Sequence, residues 1–210
     1  MERAALQVAF DVGGTFTDVA IARGDGRLFT YKILTIPATL GRDVVKCIDA
    51  ALGETPNGEV TGLVHATTVA SNVVLEGNGA LTGLIATRGF RDELEIRRFF
   101  NPNLTGYLWD RAPPLIPRRR RLEVSERITA DGRVETPLDE EDVVRTADRL
   151  LKQGVQSIAI CLINSYVNPI HEQRVAQLVR ERAPGVHVSV SFEVLPEIRE
   201  YERTSTTALT

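Results

Sequence analysis

The sequence predicts an α/β fold in which an antiparallel three-stranded meander is followed by alternating strands and helices in a mixed sheet. Three observations carry this reading. Residues 28–34 alternate apolar and polar side chains, three later segments space their apolar residues at helical period, and strand-like and helix-like runs alternate from residue 60 onward.

Residues 6–12 form a β-rich run closed by Gly13-Gly14, and a second run, Thr15 to Arg23, follows at once. The turn Gly24-Asp25-Gly26 leads to a third strand, where Phe29, Tyr31 and Ile33 alternate with Thr30 and Lys32. Pro37 ends the meander. Val44, Val45, Ile48, Ala51 and Leu52 then mark one face of an amphipathic helix over Gly41–Leu52, stopped by Gly53. Val60–Ala66 reads as a strand, Val69–Glu76 as helical, and Leu81–Thr87 as another strand.

Residues 99–121 break this rhythm with Asn101-Pro102-Asn103, Pro113-Pro114 and Pro117, a stretch too long for an ordinary connection and therefore a functional or partner-contacting loop. A strand resumes over Arg121–Ile128 and turns at Asp131-Gly132. Asp139 is the expected N-cap of a helix carrying Val143, Val144, Ala147, Leu150 and Leu151 inward. After a strand at Ser157–Ile163, Asn168 as N-cap and Pro169 at the first helical position announce a third helix, with Val175, Leu178 and Val179 on its buried face. Val186–Val190 is the last predicted strand.

Composition bounds the function. The 210 residues are 43% hydrophobic and 25% charged, enough to bury a core, and 25 Lys+Arg against 28 Asp+Glu give a net charge of −3. That balance excludes a nucleic-acid binder working through bulk positive charge. The longest apolar run, Ile158 to Ile163, is far short of the roughly 20 residues that cross a bilayer, so no membrane span is expected. The N-terminus lacks the basic and apolar regions of a secretory signal, and Cys47 and Cys161 lie in apolar-periodic segments. They are expected as buried thiols in a reducing, cytoplasmic compartment.

The chemistry concentrates in Phe10-Asp11-Val12-Gly13-Gly14-Thr15-Phe16-Thr17-Asp18. Two glycines let backbone N–H groups approach an anion closely, and Thr15 and Thr17 add hydroxyl donors, a pattern suited to cradling phosphate. Asp11 stands where a carboxylate could hold a largely hydrated Mg²⁺. A tight hairpin whose Asp bonds its own turn is the competing reading.

The whole string resembles the first phosphate-binding loop of the actin, sugar-kinase and Hsp70 ATPase superfamily, and more narrowly the opening of the hydantoinase A and 5-oxoprolinase family. Four further segments match that family in the same order: His65–Asn72, Thr87–Ile96, Asn168-Pro169 with His171-Glu172, and Pro196–Thr207. A sugar kinase would fit the loop but not the His65 and Arg91 segments. The resemblance implies a ribonuclease H-like half of an actin-like ATPase fold. It implies ATP-dependent opening of a cyclic amide such as a hydantoin or 5-oxoproline, with a minority branch that carboxylates ketones. It assigns Gly13, Gly14, Thr15 and Thr17 to the ATP phosphates and Asp11 to Mg²⁺, with Asp18 as an orienting residue of the loop.

The resemblance also moves His65, Thr67 and Thr68, at a strand end where ligands gather in α/β sheets, and Arg91 with Asp92 into the catalytic set. The role of His65, whether base, donor or metal ligand, stays open, and the alternatives are a locally satisfied histidine and two helix-capping threonines. For Arg91 and Asp92 the alternative is an internal surface pair. His171 is expected to be solvated and His187 structural. Arg118–Arg121 reads as a solvated loop edge, with an interface as its functional alternative. The implied organisation is one N-terminal region over residues 1–198, with 99–190 as a possible second subregion, and residues 199–210 as the truncated start of the next lobe. Implied partners are that missing C-terminal lobe and a hydantoinase B-type companion subunit. The competing function is a nucleotide-binding or regulatory fragment without turnover of its own.

Overall fold

A computed structural model describes residues 4–55, 57–99 and 112–210. The predicted Asn101-Pro102-Asn103 segment lies outside them. The chain divides into two compact units, Met1–Gly79 and Ala80–Thr210.

In the first unit β1 (Ala4–Val12), β2 (Phe16–Arg23) and β3 (Leu28–Leu34) form the expected antiparallel meander. A fourth strand, β4 (Gly58–Thr67), runs parallel to β1, giving the order β3-β2-β1-β4. The period-2 pattern sends Leu6 and Val8 of β1 and Val19 and Ile21 of β2 to one face. Helix α1 (Leu40–Gly53) covers that face with Val44, Cys47 and Ala51. Each large apolar side chain so buried contributes roughly 1.5–3 kcal/mol. A bulge shifts the β1–β4 register so that Leu6 pairs with Val60 but Gln7 with Gly62. Helix α2 (Val69–Glu76) begins directly after β4 and ends at Gly77, whose φ of 64° suits the left-handed C-terminal position.

The second unit is built on a four-stranded, all-parallel sheet ordered β10-β9-β5-β6, from β5 (Thr82–Thr87), β6 (Arg121–Val124), β9 (Ser157–Cys161) and β10 (His187–Val190). The mixed sheet expected from the sequence is thus found in the first unit, where β4 joins the meander, while the sheet of the second unit is all parallel. Helices on both faces explain the unbroken apolar runs of β5 and β9. Ile85, Ile158 and Ile160 pack against α4 (Glu140–Leu151) and α5 (Ile170–Arg182). Leu84, Ala86, Ala159 and Cys161 pack with Leu94 of the short α3 (Glu93–Ile96) and with Tyr201 and Ala208 of α7 (Glu200–Leu209). Both cysteines are free and buried.

Asp139 caps α4 as expected, its Oδ1 accepting from the Asp142 N–H at 2.9 Å. At α5 the cap residue is Pro169 rather than Asn168, although Asn168 Oδ1 still accepts from the Ile170 N–H at 3.2 Å. The predicted strand Arg121–Ile128 is broken after Val124. Its end, β7 (Arg127–Ile128), pairs instead with β8 (Val134–Thr136) in a separate ribbon. The short helix α6 (Ser191–Val194) follows β10 directly. Among the described residues no helix is long and apolar enough to cross a membrane.

Candidate functional site

The glycine turn closes the β1–β2 hairpin, with Asp11 opposite Asp18 and Val12 opposite Thr17 in the ladder. Neither glycine has a positive φ; at Gly13 it is the nearby backbone that leaves no space for a side chain. A Cβ on Gly13 would stand 2.8 Å from the Phe16 carbonyl oxygen, to which the Gly13 N–H donates. A Cβ on Gly14 would stand 2.9 Å from Asn72 Nδ2 of α2. These approaches place α2 against the turn.

The ends of parallel neighbours meet at the same place. Thr67 Oγ1 and the Thr68 N–H both donate to the Val12 carbonyl at 3.2 Å. Thr68 is the N-cap residue of α2 by position, yet its side chain makes no capping bond. The Asn72 N–H closes the first turn on the Thr68 carbonyl at 2.9 Å. The unit thus gathers the end of β1, the glycine turn, the end of β4 and the positive end of a helix dipole, an arrangement that favours an anion.

The individual side chains behave differently. Asp11 is exposed and has no hydrogen-bond or ion-pair partner among the described residues. Thr15 is exposed, and its carbonyl accepts from the Thr35 N–H at 2.9 Å. Thr17 is buried, its Oγ1 2.9 Å from that of Thr35, so its hydroxyl braces the sheet. Asp18 pairs with Lys32 across β2 and β3 at 3.0 Å. The His65 ring stacks on Phe10, its neighbour in the parallel ladder, with centroids 4.6 Å apart. Thr35, Asn72 and Glu76 are the turn's further neighbours. Of these only Asn72 stood in a segment the sequence singled out.

Arg91 and Asp92 belong to the second unit. Arg118 grips Asp92 through Nε and Nη2, both at 3.0 Å, and Arg121 Nη1 lies 3.7 Å away. The Arg118 hydrogen bonds hold the Asp92 carboxyl below its ordinary range. Arg91 Nε lies 4.0 Å from both Asp92 and Glu123. The pair is thus part of a wider arginine–carboxylate network.

Two expectations are corrected here, for Arg118–Arg121 and for His171. The Arg118–Arg121 run is not a uniformly solvated edge: Arg121 is fully buried and bonds Glu95 at 2.8 Å. His171 is buried rather than solvated, because its Nδ1 lies 2.7 Å from a Glu126 carboxylate that also accepts from the Thr87 hydroxyl. His187 is exposed on β10, with Nε2 3.1 Å from Ser189 Oγ. Glu172, next to His171, is buried too, accepting from the Leu162 N–H at 2.7 Å, the Phe192 N–H at 3.0 Å and the Ser191 hydroxyl at 2.6 Å. Among the described residues no three His, Cys, Asp or Glu groups cluster as metal ligands.

Comparison with known proteins matches residues 7–183 to the family described as hydantoinase/oxoprolinase N-terminal region. The chain is 37% identical to the caprolactamase alpha subunit of Pseudomonas jessenii, over all of this chain and 31% of that one. It is 33% identical to the acetophenone carboxylase gamma subunit of Aromatoleum aromaticum, over 96% of this chain and 30% of that one. Its structure matches the ATP-dependent caprolactamase of Pseudomonas jessenii with a TM-score of 0.79 at 38% identity, covering 97% of this chain and 30% of that one. It also matches nucleotide-free acetone carboxylase, described as performing ATP-dependent acetone carboxylation, with a TM-score of 0.84 at 29% identity, covering 98% of this chain and 32% of that one. The chain thus spans about a third of the length of these relatives.

Proposed function

The chain belongs to the hydantoinase/oxoprolinase family, and from that membership we propose that it is the phosphate-binding N-terminal part of an enzyme that opens a cyclic amide at the expense of ATP. The observation that carries this is the unpartnered, exposed Asp11 beside a two-glycine turn in which Gly13 admits no side chain and Gly14 faces α2. The sheet order β3-β2-β1-β4, three antiparallel strands with the fourth parallel to the first, supports a ribonuclease H-like half of an actin-like ATPase fold.

In this reading the Gly13 and Gly14 backbone, Thr15 and the first turn of α2 receive the phosphates, while Thr17 fixes the turn through Thr35. The single free carboxylate suits Mg²⁺, which keeps most of its waters; Asp11 would hold it, and there it would neutralise phosphate charge. ATP, when bound, supplies the phosphoryl group that makes an amide oxygen a leaving group, and the residues around it act by positioning and charge. Thr67 and Thr68 hold the end of β4 against β1, which places His65 on the same strand end. His65, Thr67 and Thr68 are proposed for the substrate side of the reaction, and Arg91 and Asp92 are proposed as catalytic residues within the second unit.

The relatives carry over twice as much polypeptide beyond the matched part. The edge strand β4 leaves Leu63 and Val64 61% and 64% exposed, apolar surface that a further lobe or companion subunit would cover. Turnover is therefore assigned to the assembled enzyme, with a cytoplasmic location. Likeness to acetone carboxylase, at the higher TM-score, favours a second reading, the nucleotide-binding part of a ketone carboxylase. Phosphate release by the assembled enzyme separates the two, measured with hydantoins, 5-oxoproline, larger lactams, and ketones plus bicarbonate. Release with lactams and not ketones supports amide opening, and the reverse replaces it with carboxylation.

A further inference from the structure

The four consecutive arginines that stand out in the sequence do not share one role. Arg118 is held by Asp92 and Arg121 is buried against Glu95, which leaves Arg119 and Arg120 in the short turn before β6. Neither meets a carboxylate among the described residues. Arg119 is exposed, and Arg120 is half-buried, its Nε buried without a hydrogen-bond partner. Burial, and secondarily the charge of Arg119, push the Arg120 guanidinium below its ordinary value.

Two further cations stand beside them. Gln153 Nε2 donates to the Arg119 carbonyl at 3.2 Å and to the Arg149 carbonyl at 3.4 Å, so one amide group ties the entry of β6 to the last turn of α4. Arg149 is exposed and likewise meets no carboxylate among the described residues. Lys152, three residues on and therefore on the same side of the helix end, is exposed as well. The carboxylate that it feels, Asp148, is already gripped by Arg182 through hydrogen bonds of 2.8 and 3.1 Å. By contrast, Arg88 holds Asp142 and Arg174 holds Glu140 on the same unit.

Arg149 and Lys152 suit the negative end of the α4 dipole. That accounts for two charges and not for Arg119 and Arg120, which place like charges together without a counterion. In a chain of net charge −3 the result is a local positive island. Its small extent and the acidic balance around it disfavour nucleic acid, whose binding needs a broad positive face. Three of the four cations are arginines, and a planar guanidinium meets a carboxylate through two parallel hydrogen bonds. Complementary charge chiefly speeds and orients the meeting of separate chains, a gain that a segment tethered to the same chain does not need.

We propose that Arg119, Arg120, Arg149 and Lys152 form a docking surface for an acidic segment of a separate polypeptide chain, whose Asp and Glu carboxylates pair with these cations. The surface lies wholly in the second unit and does not depend on nucleotide binding at the glycine turn.

The test is an NMR chemical-shift titration of the chain with hexaglutamate, hexaglutamine, inorganic phosphate and a six-nucleotide oligothymidylate. Hexaglutamate is expected to shift residues 119–120 and 149–153 and to bind more weakly as salt is raised. Hexaglutamine is expected to leave these resonances in place. Arg119→Gln and Arg149→Gln remove exposed side chains and keep both carbonyl bonds to Gln153, so each is expected to keep the thermal midpoint. Each should weaken hexaglutamate binding about threefold, and the two together about tenfold. Arg42→Gln, at an exposed arginine of the first unit, is expected to leave binding unchanged. No binding of hexaglutamate overturns the proposal, as does equal binding of hexaglutamine or binding that the double variant leaves intact. Tighter binding of the oligonucleotide overturns it in favour of a nucleic-acid surface, and phosphate binding as tightly as the peptide overturns it in favour of a small-anion site.

Discussion

Gly14 and Asn72 are fitted to each other: a Cβ at position 14 would stand 2.9 Å from the Asn72 amide nitrogen, so a methyl group there requires the end of that side chain to turn aside. Gly14→Ala is expected to turn the Asn72 amide aside rather than move α2, destabilising the first unit by about 1 kcal/mol. Asn72→Ala removes the obstructing side chain, so the double variant should recover most of that loss. Urea unfolding of the four proteins in the cycle reads the coupling. Strict additivity would break the link between turn and helix.

Asp11 makes no bond that the fold would miss. Asp11→Asn is therefore expected to leave the thermal midpoint of the chain within a few degrees. In the assembled enzyme it should lower Mg²⁺-dependent phosphate release by about a hundredfold or more. The two measurements belong together, since a joint loss of stability and activity would make Asp11 a structural residue.

Thr87 sits at the end of β5, donating its hydroxyl to Glu126 and accepting from the Ile163 N–H at 3.0 Å. Thr87→Val keeps the shape but leaves a buried N–H and one Glu126 oxygen without this partner. The expected cost is about 1–3 kcal/mol, read by urea unfolding. Thr87→Ser keeps the hydroxyl and should recover most of it.

Helix α1, the meander and the Asp139 cap were legible because local chemistry and long-range packing agree there. Apolar spacing matches the buried face, and a carboxylate meets a free N–H. Helix α7 was not legible. Its Thr- and Ser-rich sequence has weak helical propensity, and it forms because buried Arg203 bonds Ser191 Oγ at 3.1 Å and the Leu162 carbonyl at 2.9 Å. His171 reads as solvated at a helix start, since nothing local shows that Glu126 converges on it. The four consecutive arginines look alike in sequence, whereas in the fold Arg118 is exposed and Arg121 fully buried. At the site, the glycines and Asp11 announce themselves, but the bracing of Thr17 by Thr35 depends on β3 and its exit.

Glu93 makes the stability of the second unit pH-dependent. Burial, and secondarily the nearby Glu200, push its carboxyl from an ordinary 4.5 up to about 7. Below pH 4.5 folded and unfolded chains both hold the proton, and the unit has its full stability with respect to this group. Between 4.5 and about 7 the unfolded chain has released the proton while the folded chain keeps it. Raising the pH through this window therefore favours unfolding, by up to roughly 3 kcal/mol, and the loss is complete above the folded value. Glu200, also pushed upward by burial, adds a decline of the same sign. Glu93→Gln keeps an oxygen for Thr204 and cannot ionise. Urea unfolding at about pH 5 and about pH 7.5 should show the parent chain losing stability between the two conditions and the variant losing distinctly less. Equal losses in the two proteins would assign the pH dependence to other groups and leave Glu93 ionised in the folded chain.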